Sequence, residues 1–181
     1  MKAVVVYYSL YGNSRVAARL IAKHLEAPVH RIEVKQRKGV IESTFSALFG
    51  RRPKIKSIKL EHDEWDLMVI VVPIWSGRPA TPLKTFLAET RLAEKKVAAF
   101  FSYTKTDIHK RPEKWLKRIL EHFDARLVAV SGYNTGLKQH TILKQRVWDF
   151  LSQLPPDAIP SKPSPVSKKR TGPATPFRKK K

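Results

Sequence analysis

Runs of apolar residues that alternate with amphipathic segments limit most strongly how this chain can fold. AVVVYY (3–8) and DLMVIVVP (66–73) are apolar at nearly every position, which is typical of strands buried on both faces of a sheet. KVAAFFS (96–102) is a third such strand, RLVAVSG (126–132) is another, and VHRIEV (29–34) alternates like a more exposed one. The sequence therefore predicts five strands.

Segments with the helical spacing of apolar residues separate or follow these strands. They span residues 13–26, a short stretch at 40–50, 80–92, 111–123 and 138–154. In the first of these helices we expect one apolar face, formed by Val16, Ala17, Leu20, Ile21 and Leu25. Because strands that alternate with helices pair in parallel through right-handed crossovers, the expected fold is α/β. It is a doubly wound, five-stranded parallel sheet of order 2-1-3-4-5, in three layers.

The composition changes sharply after the last predicted helix. Residues 155–181 contain seven of the 13 prolines and few apolar residues. Such a segment does not bury enough surface to offset the entropy of ordering it. We therefore expect one domain over residues 1–154 and a basic, proline-rich, disordered tail over 155–181.

The charge of the chain is strongly positive, +21 over 181 residues. Residues 155–181 hold eight Lys or Arg and one acid, so the first 154 residues hold 28 basic and 14 acidic residues, a net charge of +14. The domain itself is therefore basic, which predicts an anionic partner. Nucleic acid, an anionic membrane and an acidic redox protein all fit this charge.

Several other classes of protein are excluded by composition. The chain has no apolar run of about 18 residues, so no transmembrane helix is expected. Its first residues enter a strand pattern directly and do not resemble a signal peptide, so cytoplasm is the expected location. The absence of cysteine excludes disulfides, thiol catalysis and cysteine-ligated metals. The six histidines lack metal-ligand spacing, and no residues form an acid–base arrangement, so no metal ligand or catalytic side chain is predicted.

Three polar segments follow the first, third and fourth predicted strands. They are SLYGNS (9–14), PIWSGRPATP (73–82) and SYTKTD (102–107), and each contains an aromatic residue among small or polar ones. The carboxyl ends of parallel strands share one edge, and ligands bind there where the strand order reverses. This composition predicts a phosphate site beside a site for a planar ring.

The first segment suits an anion. Gly12 permits close backbone approach, Ser9 and Ser14 offer hydroxyl groups, and the first free helix amides fall near Asn13. The alternative is a plain strand-to-helix turn with a polar cap.

The other two segments suit a flat ring. Trp75 is placed to stack on a planar cofactor, with Ser76 and Gly77 at its rim, and Tyr103 offers a second aromatic wall. The alternatives are a tryptophan packed on its own helix and a half-exposed surface tyrosine.

Two longer stretches resemble the flavodoxin family and related flavin-dependent quinone reductases. VVVYYSLYGNSRVAARLIA resembles their first strand and phosphate loop, Ser/Thr-x-Thr/Ser-Gly-x-Thr/Ser, and it matches at Ser9, Gly12 and Ser14 but departs at Tyr11. WDLMVIVVPIWSGRPATPLKTFL (65–87) is similar to their third strand and following loop. The third loop departs further, since family members often have glycines there and SYTKTD has none. The resemblance covers roughly residues 2–153.

The resemblance implies a flavodoxin-like fold and non-covalently bound flavin mononucleotide (FMN). It assigns the phosphate to Ser9, Tyr11, Gly12, Asn13 and Ser14. It assigns the two sides of the flavin ring to Pro73, Ile74, Trp75, Ser76 and Gly77, and to Ser102, Tyr103 and Thr104. The implied function is that of an FMN-dependent redox protein, an electron carrier or small flavin reductase, with an acidic redox partner or a small anionic substrate.

A second class of function also fits the sequence. This alternative function is that of a binding module, which has the flavodoxin-like fold and a degenerate flavin site. Its basic surface and the segment SKKRTGPATPFRKKK (167–181) bind nucleic acid or an anionic membrane.

Overall fold

The structure, a computed structural model, describes residues 1–35, 53–104, 110–136 and 140–160. Its strands are β1 Ala3–Tyr7, β2 Val29–Arg31, β3 Leu67–Trp75, β4 Arg78–Pro79, β5 Lys96–Tyr103 and β6 Arg126–Asn134. Its helices are α1 Asn13–Leu25, α2 Thr81–Glu89, α3 Lys110–His122 and α4 His140–Leu151. Two short 3-10 turns cover His62–Glu64 and Pro156–Ala158. The short helix predicted at 40–50 lies outside the described residues.

The sheet has the order β2-β1-β3-β5-β6, and every pair along that path is parallel. The two-residue β4 pairs only with β3, in the antiparallel direction. If β4 is left out, this is the predicted order 2-1-3-4-5. The predicted α/β, flavodoxin-like, three-layer fold is therefore confirmed.

Both faces of the sheet are apolar, which is why helices cover both. One face presents Val5, Val69 and Phe100 to α1 and α4. The opposite face presents Val6 and Ile70 to α2 and α3. Because successive residues of a strand point to opposite faces, a continuous apolar run supplies both cores at once.

The buried face of α1 differs from the predicted one at Val16, whose side chain is 47% exposed. The residues that face the sheet are Ala17, Ala18, Ile21, Ala22 and Leu25. The three alanines allow the helix backbone to approach the sheet closely. The buried face of α1 is therefore rotated toward Ala18 and Ala22, and Val16 lies outside the core.

The segment predicted as the second polar loop is partly a hairpin. β3 continues to Trp75, two residues past the predicted strand end, and β4 folds back on it. Ser76 and Gly77 form the connection, with φ of +49° and +76°. Two successive residues with positive φ give a turn whose twist matches that of the flanking strands, so the chain reverses in two residues.

Other boundaries shift by a few residues. β2 ends at Arg31 rather than 34, and β5 and β6 extend to Tyr103 and Asn134. The helix predicted over 80–92 ends at Glu89, and the one predicted over 138–154 is described as His140–Leu151.

The first residues of the predicted tail pack on the domain. Ala158 is buried, and the amino group of Met1 donates a hydrogen bond to the carbonyl oxygen of Asp157 at 2.8 Å. The packed part of the chain therefore continues to about Pro160, and the rest of the predicted tail lies outside the described residues.

Gly132 should be intolerant of any side chain. It lies opposite Phe101 in the sheet, and a Cβ added there would lie 2.3 Å from the Phe101 carbonyl oxygen. Because that atom is backbone, relief requires β5 and β6 to separate. We expect Gly132→Ala to lower the free energy of unfolding by about 1–3 kcal/mol in urea denaturation. Ser131→Ala is the control, and an equal loss in both variants would contradict this account.

Candidate functional site

The carboxyl ends of the central strands bring the three predicted segments together. In register, Pro73 of β3 lies beside Ser102 of β5, and Ser102 lies beside Tyr133 of β6. β1 joins the same edge, since the Tyr8 amide donates to the Val71 carbonyl oxygen at 3.1 Å. The edge lies where the chain order reverses between β1 and β3, which is where this class of sheet binds ligands.

The first turn of α1 offers backbone donors at this edge. The first helical hydrogen bond runs from the Val16 amide to the Gly12 carbonyl oxygen at 3.1 Å. The amides of Asn13, Ser14 and Arg15 precede that bond. In the described part of the chain, no side chain caps the helix and its first turn holds no acid. The positive end of the helix dipole is therefore open to an anion.

The loop before α1 is preorganised and open. The Ser9 hydroxyl oxygen accepts a hydrogen bond from the Gly12 amide at 3.0 Å, which closes the turn. Gly12 has φ of +91°, and a Cβ placed on it would meet nothing within 4 Å among the described residues. Tyr11, the residue that departs from the family pattern, is 74% exposed, so its ring does not fill the loop.

Two hydrogen bonds, one buried and one partly buried, hold the first turn of α1 on the sheet. The hydroxyl groups of Ser14 and Ser102 lie 2.8 Å apart, and both side chains are buried. The Tyr133 hydroxyl donates to the Asn13 carbonyl oxygen at 3.0 Å. We call these two contacts, Ser14–Ser102 and Asn13–Tyr133, the first-turn clamp. The Ser14 hydroxyl is therefore engaged with the sheet, and the backbone amide is the group of Ser14 that is available to an anion.

The hairpin between β3 and β4 carries Trp75, the residue predicted to stack on a planar ring. Trp75 is half-buried, and its ring meets the ring of Tyr8 edge-on, with centroids 5.9 Å apart. Arg78 lies opposite Trp75 in the hairpin and is exposed. The Ala80 amide donates to the Pro73 carbonyl oxygen at 3.0 Å, which closes the base of the hairpin. The predicted ring residues 73–77 thus lie on one hairpin.

The third predicted segment begins inside the sheet. Ser102 and Tyr103 are buried as the last residues of β5, and Thr104 is exposed. The Tyr103 carbonyl oxygen accepts two hydrogen bonds from Thr135, at 2.7 Å from its amide and 3.2 Å from its hydroxyl. Tyr103 is therefore not the half-exposed surface residue of the alternative interpretation. Residues 105–107 lie outside the described residues.

A family assignment follows from comparison with known sequences. The profile of the family described as NADPH-dependent FMN reductase matches residues 1–139. This chain belongs to that family. FMN is the flavin of the family, which confirms the cofactor predicted from the sequence. No curated protein sequence matches the chain significantly.

Solved structures with the same fold agree with the family. A flavoprotein in complex with FMN from Lactobacillus acidophilus has a TM-score of 0.59 and 21% identity, over 76% of this chain and 96% of that one. A flavodoxin, WrbA-like protein from Agrobacterium tumefaciens has a TM-score of 0.57 and 17% identity, over 84% and 94%. At such low sequence identity, these similarities show that the fold is shared and nothing beyond it.

The residues of this family member fit the phosphate of FMN by their chemistry. The first turn of α1 offers amide donors without an acid nearby, and the loop leaves open space over Gly12. No group of three metal-ligating side chains occurs in the described ranges. Within the same ranges, no helix is long and apolar enough to span a membrane.

The end of β6 was not among the polar segments predicted from the sequence. SGYNTG (131–136) reaches the same edge as the three predicted segments and supplies Tyr133 and Thr135. The Gly136 amide also donates to the Asn134 side-chain oxygen at 2.8 Å, which closes a local turn. Its polar and small composition matches that of the other segments. That composition at a predicted strand end was the available signal.

Burial alters the acidity of three tyrosines at this edge. It raises the pKa of Tyr133 to about 12. It also raises the pKa of Tyr8, against the opposing charge of Arg31, and that of Tyr103, against Arg146. The Tyr133 hydroxyl therefore stays protonated and remains a donor throughout the neutral range.

The stability of the fold should fall at alkaline pH partly through Tyr133. Between about pH 10 and 12 the unfolded tyrosine loses a proton that the folded one keeps, so unfolding becomes more favourable as the pH rises. We expect urea denaturation to show a steeper loss of stability over this window in the wild type than in Tyr133→Phe. Tyr11→Phe is the control and should follow the wild type. Parallel curves for wild type and Tyr133→Phe would contradict the assignment.

Proposed function

We propose that this chain binds FMN non-covalently at the carboxyl-end edge of its sheet and acts as an FMN-dependent reductase. The observation that carries this proposal is the first turn of α1, where three backbone amides face an open, acid-free loop. The family assignment and the FMN-bound structure of the Lactobacillus acidophilus relative support it. We place the protein in the cytoplasm.

The bound flavin would use the three segments in different ways. The amides of Asn13, Ser14 and Arg15 hold its phosphate, aided by the dipole of α1. The hairpin from Pro73 to Gly77 lines one side of the ring, and Ser102 to Thr104 line the other. The half-buried Trp75 is held in an edge-to-face contact with Tyr8, which reduces the entropy lost when a flavin ring packs on it.

The chemistry of such a protein resides in the flavin, which accepts and passes on electrons singly or in pairs. The chain contributes binding, orientation and charge. Arg78 is exposed on the hairpin, and Arg111 is exposed at the start of α3, so both lie at this edge. Positive charge near the ring stabilises a reduced, anionic flavin and raises its reduction potential relative to that of an acidic homologue.

Charge is distributed unevenly between the two edges of the sheet. In the described ranges, the amino-end edge carries charges of both signs. Its acids are Glu61, Asp63, Glu64, Asp66, Glu94, Asp124 and Asp157, and its bases include Lys2, Lys95, Lys96 and Arg126. The carboxyl-end edge is mainly basic, with Arg15, Arg31, Arg78 and Arg111 beside the acids Glu33 and Glu113. This arrangement steers acidic proteins or small anionic acceptors toward the proposed site.

An electron carrier is the second candidate function, because the same site serves a protein that receives its electrons from another flavoprotein. Steady-state oxidation of NADPH by the FMN-loaded protein separates the two. Turnover supports the reductase, and reduction only through a second protein supports the carrier. Binding of nucleic acid or an anionic membrane by residues 155–181 is a separate proposal. It requires weaker heparin or vesicle retention when those residues are removed.

Gly12→Val should strongly weaken FMN binding and leave the fold largely intact. A β-branched residue does not adopt φ of +91° without strain, and its methyl groups would occupy the open space over the loop. We expect the wild type to bind FMN saturably at micromolar concentration, followed by quenching of flavin fluorescence. The variant should bind at least about tenfold more weakly.

Gly77→Val is the matched control for backbone strain, since Gly77 has φ of +76° and equally open surroundings. Its apo form should lose a similar amount of stability, on the order of 1–2 kcal/mol, but less affinity for FMN. Unchanged FMN affinity in Gly12→Val would show that residues 9–14 form only a turn.

The charge at the site should appear in the rates of electron transfer. We expect the reduced, FMN-loaded protein to react with ferricyanide at a rate that falls as salt is added. The rate with the cation hexaammineruthenium(III) should rise. Arg78→Gln combined with Arg111→Gln should weaken both trends, whereas Arg126→Gln, at the opposite edge, should not. Equal salt dependence for the two oxidants would contradict the proposed steering.

A further inference from the structure

We infer that Tyr133 is a positioning residue for the phosphate-binding turn, and that it favours FMN over flavins that lack a phosphate. This inference rests on the proposed function. Tyr133 lies at the end of β6, 120 residues from Asn13 in the chain, and its hydroxyl donates to the Asn13 carbonyl oxygen at 3.0 Å.

The Asn13 carbonyl and the Ser14 amide belong to one peptide group. Tyr133 donates to the carbonyl end of that group, while the Ser14 amide lies ahead of the first helical hydrogen bond and faces the proposed phosphate. A hydrogen bond accepted at the carbonyl polarises the peptide and makes its N–H a stronger donor. Tyr133 therefore strengthens an anion contact that it does not itself make.

The second contact of the first-turn clamp holds Ser14, the residue that carries this amide. The Ser14 side chain bonds to Ser102 of β5 at 2.8 Å, in a fully buried position. The first turn is thus tied to β5 and to β6 by separate hydrogen bonds. An amide held in this way needs no reorganisation when the phosphate arrives, which is the condition for an effective preorganised site.

The ring of Tyr133 has a structural role that is separable from its hydroxyl. It is buried and stacks on Phe100, with centroids 5.8 Å apart and planes inclined by 22°. A phenylalanine at this position keeps the stack and removes only the donor. The substitution Tyr133→Phe therefore tests the hydrogen bond without opening a cavity.

The experiment compares FMN with riboflavin, which carries the same ring and no phosphate. The wild type, Tyr133→Phe and Ser102→Ala are titrated with each flavin by fluorescence. Tyr7→Phe is the control, because Tyr7 is buried in the same core as Tyr133 and lies outside the proposed site. We expect Tyr133→Phe to weaken FMN about threefold to tenfold and riboflavin by less than about twofold. The apo forms of Tyr133→Phe and Tyr7→Phe should retain native far-UV and near-UV circular dichroism.

Each other outcome overturns the inference in a recognisable way. A wild type without saturable FMN binding rejects both the proposed function and the role of Tyr133. Normal FMN affinity in Tyr133→Phe, with the wild type binding, rejects the role of Tyr133 alone. Equal weakening of FMN and riboflavin shows that Tyr133 supports the site as a whole and does not position the phosphate contacts.

Discussion

The burial of long apolar strands on both faces of the sheet is the constraint on which the rest of the structure depends. β3 and β5 bury nearly all their residues, so helices must cover both faces and every crossover must pass over one of them. Parallel pairing then places the carboxyl ends of β1, β3, β5 and β6 at one edge. The proposed site is a consequence of this arrangement, because its segments are far apart in sequence and meet only there.

Polar contacts at this edge stabilise the site where the apolar core ends. The first-turn clamp joins α1 to β5 and β6 through buried hydroxyl groups, which are costly to bury unless they are paired. The same contacts leave the amides of the first turn free of internal partners in the described part of the chain. The first-turn clamp therefore both fixes the turn and leaves its amide donors available.

Much of the fold was predictable from the sequence because it follows from local patterns. The apolar runs gave the strands, their alternation with helices gave the parallel order, and the composition of the strand ends gave the position of the site. Two local features were misread. The prolines at 73 and 79 resemble strand breakers, so the hairpin at Ser76 was not foreseen, and helical spacing alone did not show that Val16 lies outside the core.

The contact of Tyr133 with Asn13 had no local signal. It joins the last strand to the first helix, and only the folded sheet brings the two residues within hydrogen-bonding distance. Long-range side-chain contacts of this kind depend on the exact strand register and helix position. A single sequence predicts the order of the strands but not these details. For this reason the sequence located the edge that carries the site but not the residues that hold its first turn in place.

The central claim is that the first turn of α1 binds a flavin phosphate. The most direct measurement is a titration of ¹⁵N-labelled protein with FMN and, separately, with riboflavin, followed by amide NMR. The account predicts that the amide protons of Asn13, Ser14 and Arg15 move downfield with FMN and little with riboflavin. Shifts of these amides that are the same for both flavins, or no shifts with either, would contradict it.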